Sequence, residues 1–405
     1  LFLAVMVTDV IILDVFNTLG MPTSTTVSLV FELLGGAFIL ATLKMYGDDS
    51  LNYGVLLNSN KALEVIMGIF SSVIIAFVFG AFVMWLSRIV FTFNYRKHSR
   101  YSIAIFGGIA FTALSYFIFM KGLGKSPYLP AEWRDYIDQN LGLLLCITFV
   151  GSAIVMEFLH LCRINIFKFT VLMGTFALAM AFAGNDLVNF IGVPLAGLSS
   201  YQDYMANANG ATPNQFMMTS LMDSAKTTPV YLLAAGAVMI IAMATSKKAQ
   251  NVIKTSVDLS RQDEGDEMFG SSSAARVIVR NCQATDSWLK QFMPKALMNW
   301  INSRFDKKDV ELEESAAFDV VRAAVNLVLA SMLITIGTNL KLPLSTTYVT
   351  FMVAMGSSLA DRAWSRESAV FRVTGVLSVI GGWFITAGVA FAACAIVCLI
   401  MHFGG

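Results

Sequence analysis

Apolar residues run in long blocks along this chain, and polar residues gather into short breaks between them. Blocks of about 20 residues suit helices that cross a bilayer. The pattern predicts spans near 64–92, 102–120, 141–161, 169–192, 228–245, 316–337 and 371–401. Two apolar segments are interrupted by proline. Ile11 to Leu19 leads into Pro22-Thr23-Ser24-Thr25-Thr26 and then an apolar run to about Leu43. Leu327 to Ile336 leads into Pro343-Leu344-Ser345-Thr346-Thr347 and then Tyr348-Val349-Thr350-Phe351-Met352. Gly35 and Gly356 lie at the same offset behind the two prolines. A proline inside an apolar run breaks a helix and fits the first turn of the next. Each copy therefore reads as helix, break, helix, with hydroxyls at the start of the second helix. Unpaired N–H groups and the positive end of the helix dipole favour phosphate, sulfate or carboxylate there. Ser and Thr are also ordinary N-caps. Two matched broken helices in one chain favour a transport site.

Polar residues inside the apolar blocks supply further candidates. The first block holds Asp9, Asp14 and Asn17, and the helix after the first motif holds Glu32. Asp9 reads as an acid near the interface, and Asp14 as the more deeply placed one. The 169–192 span ends in Ala183-Gly184-Asn185-Asp186-Leu187-Val188-Asn189-Phe190-Ile191-Gly192-Val193-Pro194. Gly184, Gly192 and Pro194 permit unwinding, and a polar loop is expected over 195–227. Oxygen ligands on loosened backbone suit a hard cation such as sodium. An ordinary helix end entering a loop is the competing reading.

Composition agrees with the pattern. Of 405 residues, 56% are hydrophobic and 14% charged, and the net charge is +1. This describes a polytopic helical membrane protein and gives no basis for nucleic-acid binding. The five cysteines and three histidines form no zinc or disulfide pattern. Basic turns favour the cytoplasm. That places 93–100, 162–168, 246–315 and 361–372 inside, and 45–60, 121–140 and 195–227 outside. Residues 246–315 form a charged insertion, with Trp288, Phe292, Trp300, Ile301 and Phe305 among basic residues. Helices lying on the membrane surface and broken at Pro294 fit that pattern. The two motifs then emerge on opposite sides, as in an inverted-topology repeat. The expected fold is an all-α polytopic membrane protein. Its broken helices or re-entrant hairpins would surround a midplane site, and hairpins are preferred.

Several segments resemble one family. Gly184 to Gly192, followed by Pro194-Leu195-Ala196, resembles the second signature of the inorganic phosphate transporter (PiT) family. Pro22 to Thr26 and Pro343 to Thr347 resemble its two Pro-x-Ser-Thr-Thr motifs. Trp383-Phe384-Ile385-Thr386 resembles its C-terminal Trp-containing helix. There are departures: Ala183-Gly184 transposes the usual Gly-Ala, and Val27 and Tyr348 replace the usual His. The family's first Asn-Asp-x-x-Asn signature is expected before Leu1, in a longer polypeptide. The resemblance implies a non-enzymatic symporter in the plasma (inner) membrane, moving phosphate with sodium or protons and needing no cofactor. It divides the chain into five parts. Residues 1–92 are the remainder of a first repeat and 93–168 are connecting helices. Residues 169–245 start a second repeat, 246–315 are a cytoplasmic or membrane-surface insertion, and 316–405 end the repeat.

The expected roles follow. Ser24, Thr25, Thr26, Ser345, Thr346 and Thr347 hydrogen-bond phosphate. Asp186 binds the cation and a protonated phosphate oxygen, and Asn185 and Asn189 orient the backbone and supply oxygens. Asp14 and Glu32 admit two readings: a second cation or proton site, or buried acids bonded to polar neighbours. Membrane lipid is an expected partner, and a homodimer is admitted. The rival functions are a permease for another oxyanion such as sulfate, an intramembrane hydrolase and a membrane scaffold. No Gly-x-Ser-x-Gly elbow or nearby His supports the hydrolase.

Overall fold

The apolar blocks become helices in the computed structural model. It describes residues 1–47, 50–93, 100–118, 130–212, 216, 218, 228–246, 257, 259–260, 270–292, 294–306, 318–340, 342, 344–364 and 368–404. No strand occurs among the described residues. Among the described residues, seven helical stretches are long and apolar enough to cross a membrane: Thr25–Tyr46, Ser59–Val90, Tyr101–Ile118, Leu141–Leu161, Ile166–Asn207, Val320–Asn339 and Ser368–Gly404. A shorter apolar helix covers Pro229–Ala242. Much of their surface is apolar and exposed, as at Val10, Ile74, Leu172 and Leu233. In lipid such a surface needs no protein partner, because the tails are as apolar as the side chains.

The chain forms two compact units. The first comprises Leu1–Ile69, Phe182–Lys254 and Gly381–Gly405, and the second Phe70–Ala181 and Thr255–Ile380. In the first unit, α1 (Phe2–Thr18) folds back onto α2 (Thr25–Gly47). Short α3 (Tyr53–Leu56) follows, and then α4 (Ser59–Val90). Next in the chain come α5 (Arg100–Ser115), α6 (Ala131–Gln139), α7 (Leu141–Leu161) and α8 (Ile166–Phe182). A π-turn over Ala183–Leu187 leads into α9 (Val188–Asn207), and α10 spans Pro229–Thr245. The rest is α11 (Ser273–Phe292), α12 (Lys295–Arg304), α13 (Val320–Asn339), α14 (Thr346–Ala360) and α15 (Ser368–Gly404).

Two expectations are corrected in part. Of the three residues expected to permit unwinding, Gly184 lies in the loosened turn at Ala183–Leu187, whereas Gly192 and Pro194 lie inside α9. The expected loop from 195 is helical to Asn207. A proline costs a helix one N–H bond, but a membrane helix tolerates it where neighbouring groups meet the freed carbonyl. The 121–140 connection contains amphipathic α6, whose apolar Trp133 and Tyr136 remain exposed. Pro294 does separate the helical segments α11 and α12, as its missing N–H suggests. Arg96, Lys97, His98, Lys341, Pro343 and most of 213–227, 247–269 and 307–317 lie outside the described residues.

Close backbone approach organises each unit's packing. A Cβ on Gly35 would overlap the Phe391 carbonyl of α15 in the first unit. A Cβ on Gly356 would overlap the Phe77 carbonyl of α4 in the second. In the second unit α5 also meets α7 at Gly108, where an added Cβ would lie 3.1 Å from the Ala153 Cβ. Ser152 donates to the Gly108 carbonyl there at 3.2 Å. The core of that unit adds edge-to-face Phe91, Phe106 and Phe167 rings over Met84, Met156 and Val325. In the first unit Ala4, Val5, Leu29, Val193, Cys394 and Cys398 pack together.

Candidate functional site

The first Ser-Thr-Thr segment is fixed at both ends by backbone bonds. Gly20, at φ 67°, takes the left-handed conformation that ends α1. Its N–H donates to the Asn17 carbonyl, and the Met21 N–H donates to the Phe16 carbonyl, both at 3.1 Å. This pair of bonds is the Schellman ending of a helix. The Pro22 carbonyl accepts from the Trp383 indole N–H at 2.8 Å. Ser24 Oγ then accepts the Val27 N–H at 3.2 Å, and the Ser24 carbonyl accepts the Ser28 N–H at 3.0 Å. Ser24 is therefore an N-cap, with its hydroxyl proton still available to donate.

The second segment repeats the closing bond and the serine cap inside its own unit. The Leu342 N–H donates to the Gly337 carbonyl at 2.9 Å, the register of Met21 and Phe16. Ser345 Oγ accepts the Tyr348 N–H at 3.1 Å, and the Ser345 carbonyl accepts the Val349 N–H at 3.0 Å. Ser24, Thr26, Ser345 and Thr346 are buried, while Thr25 and Thr347 are half-buried. α13 and α14 pack against each other as α1 and α2 do. With 15 residues, α14 is ~22 Å long at ~1.5 Å per residue, against ~30 Å of hydrocarbon.

The Asn-Asp-x-x-Asn segment occupies the π-turn and the start of α9. Asn189 Nδ2 donates to Thr26 Oγ1 at 2.8 Å. Asn185 Nδ2 donates to Asp186 Oδ1 at 3.3 Å. Asp186, Asn185 and Asn189 are all half-buried. The structure thus joins the signature to the first Ser-Thr-Thr turn, across 163 residues of chain. A π-turn widens the helix and frequently marks a functional position. Among the described residues of this unit, Lys44 and Lys61 are the only Lys or Arg, and both are exposed. No described cationic side chain is therefore buried with this turn.

The acids fall differently from expectation. Asp14 is exposed, whereas Asp9 is 5% exposed and Glu32 is fully buried. Ser28 Oγ donates to Glu32 Oε1 at 2.8 Å and also lies within hydrogen-bonding reach of Asp9. Asp9 therefore meets Glu32, and the interface reading of Asp9 is corrected. The signal was present: Val5, Ile12 and Phe16 form a buried stripe with Thr8 and Asp9 on it. Trp383 and Ser28 carried no sequence signal for these bonds. In the second unit Arg88 bridges two acids. It donates from Nε to Asp361 Oδ1 at 2.6 Å and from Nη2 to Asp319 Oδ1 at 2.9 Å. Among the described residues no cluster of three His, Cys, Asp or Glu is placed to hold a metal.

Broken membrane helices with buried hydroxyls at their starts define a multi-pass transporter architecture. A model of the Phosphate transporter family matches residues 1–256. The chain belongs to that family, a class of membrane transporters and not of enzymes. A solved structure, described as the sodium-dependent phosphate transporter, is similar in fold with a TM-score of 0.60. It is 15% identical, and the alignment covers 99% of this chain and 79% of that one. No curated relative matches.

Proposed function

We propose that the chain is a cation-coupled symporter of inorganic phosphate in the plasma (inner) membrane. The Asn189–Thr26 hydrogen bond carries this reading, because it ties the carboxamide signature to a turn suited to an anion. Phosphate takes hydrogen bonds from Ser24, Thr25 and Thr26, and from Ser345, Thr346 and Thr347 at the second motif. Asp186 holds the cation and accepts from protonated phosphate, while Asn185 and Asn189 supply oxygens and fix the turn. Coupling follows from charge. Phosphate brings nearly two negative charges close to Asp186, and the unit's described Lys and Arg lie at exposed positions. Two like charges ~4 Å apart repel by about 4 kcal/mol at an effective dielectric of about 20. A sodium ion or a proton removes that repulsion, so the cation loads the anion. Sodium is favoured by the oxygen-only donor set and by the sodium dependence of the transporter with the similar fold.

Uptake of labelled phosphate into proteoliposomes tests the reading. A sodium or proton gradient should drive accumulation, and excess sulfate should compete weakly, because sulfate cannot donate a hydrogen bond to Asp186. Accumulation that needs neither gradient would end the symport reading. Full competition by sulfate would indicate a general oxyanion permease.

A further inference from the structure

Two carboxylic acids are buried together in the first unit with one hydroxyl between them. Glu32 on α2 is fully buried, and Asp9 on α1 is 5% exposed. The Ser28 hydroxyl carries a single proton, which goes to Glu32 Oε1 at 2.8 Å. Asp9 is within hydrogen-bonding reach of the same hydroxyl. Glu32 Oε2 and Asp9 Oδ1 are buried and have no hydrogen-bond partner among the described residues. The neighbours offer little help. Thr8 spends its hydroxyl proton on the Ala4 carbonyl at 2.7 Å. On α15 the titratable groups beside the acids are the buried thiols Cys394 and Cys398, and α9 meets this core at Val193. The unit's described Lys and Arg, Lys44 and Lys61, are exposed.

Two ionised carboxylates cannot stay buried at such a spot on one shared hydrogen bond. Buried charges are paired or coordinate a cation. Acids kept in the interior of a membrane protein commonly mark ion or proton pathways. We propose that Asp9, Ser28 and Glu32 form a binding site for one monovalent cation, sodium or a proton, separate from Asn185, Asp186 and Asn189. The orphan oxygens Asp9 Oδ1 and Glu32 Oε2 and the Ser28 oxygen supply a hard, oxygen-only ligand set. Bound there, the cation ties α1 to α2 behind the Ser-Thr-Thr turn, since Ser28 follows that turn by one step of the helix. The site thus adds a second coupled charge to the proposed symport. Its role in transport rests on that reading, but its existence does not.

The test uses the purified full chain carrying Asp186→Asn, so that the other proposed cation site is disabled. Thermal unfolding midpoints are read in sodium chloride against choline chloride at equal ionic strength and high pH. A ligand that binds only the folded state raises the midpoint, and the rise grows with the logarithm of ligand concentration once that exceeds Kd. The midpoint should rise with sodium, and adding Glu32→Gln should weaken the apparent sodium affinity roughly ten- to a hundredfold. Asp9→Asn reads the same site from α1 if Glu32→Gln fails to fold. If the proton is the occupant, sodium has no effect. The midpoint then falls as pH rises, and that fall disappears in either variant. Sodium and pH responses that are the same with and without Glu32→Gln and Asp9→Asn would overturn the proposal. Loss of phosphate uptake in Asp186→Asn is scored separately, so the two readings fail independently.

Discussion

Around Pro22–Thr26 the chain closes α1 with a Met21–Phe16 bond, caps α2 with Ser24 and lays Gly35 on the Phe391 carbonyl. Around Ser345–Thr347 a Leu342–Gly337 bond, a Ser345 cap and Gly356 on the Phe77 carbonyl repeat each step. The local design is written twice, but the buried charge is not. The first unit buries Asp9 and Glu32 and keeps its described Lys and Arg exposed. The second buries Arg88, Arg322 and Arg372 with Asp319 and Asp361. There Arg88 bridges both acids, Arg322 donates to Ser358 Oγ at 2.9 Å, and Arg372 donates to the Ala363 carbonyl at 3.2 Å. One copy therefore leaves carboxylate oxygens for a mobile cation, and the other neutralises its acids with fixed guanidinium groups. Under the proposed function, the repeated backbone motif sets where the anion sits. The surrounding charge sets what each copy does with it.

The largest expected effect lies on the first side of this comparison. Asp186→Asn should reduce cation-coupled phosphate uptake to background while the protein still inserts. Near-normal uptake with unchanged cation dependence would refute the role of Asp186. On the other side, Arg88→Met leaves two buried aspartates without their shared partner. That should cost roughly 3–5 kcal/mol of stability. Breaking the exposed Lys61–Glu64 pair with Lys61→Met should cost under ~1 kcal/mol. Equal shifts in thermal unfolding for the two would show that the second network does not hold its unit.

Gly35→Val and Gly356→Val test the shared design. Each drives a side chain into a carbonyl, with an expected loss of about 1–3 kcal/mol or more. A large loss at one position and none at the other would break the equivalence. The smallest and sharpest effect is at the caps. Ser24→Ala and Ser345→Ala should each weaken phosphate affinity by roughly ten- to a hundredfold, the value of one hydrogen bond to a charged group. If both bind phosphate normally and only lose about 1 kcal/mol of stability, the serines are caps alone.

Much of this was legible in the chain. The helix–break–helix pattern follows from a proline after an apolar run, and the caps follow from Ser at the start of the next. The depth of the acids was not legible. α1 is apolar on both faces, with Val10, Ile11 and Val15 exposed and Val5, Ile12 and Phe16 buried. Hydrophobic periodicity separates protein from water, but here lipid and protein interior are equally apolar. Asp14 therefore read as the deeper acid and Asp9 as the one near the interface, the reverse of what the fold shows. Gly184 does lie in the loosened turn, but Gly192 and Pro194, also expected to permit unwinding, lie inside α9 for a related reason. Proline marks a local cost, and whether a helix bears that cost depends on what surrounds the freed carbonyl.

The class, the helices and the two hydroxyl-capped breaks are properties of the amino-acid order, because they depend on hydropathy, on proline's missing N–H and on local capping bonds. Which distant groups meet is a property of the folded chain alone. Trp383 reaches the Pro22 carbonyl, Asn189 reaches Thr26, and Arg88 reaches Asp319 and Asp361. Asp9 on α1 joins Ser28 and Glu32 on α2 for the same reason. Such pairings depend on how the helices pack. In lipid that packing is selected by close-fitting glycines and interhelical hydrogen bonds, which leave no periodic trace in the chain.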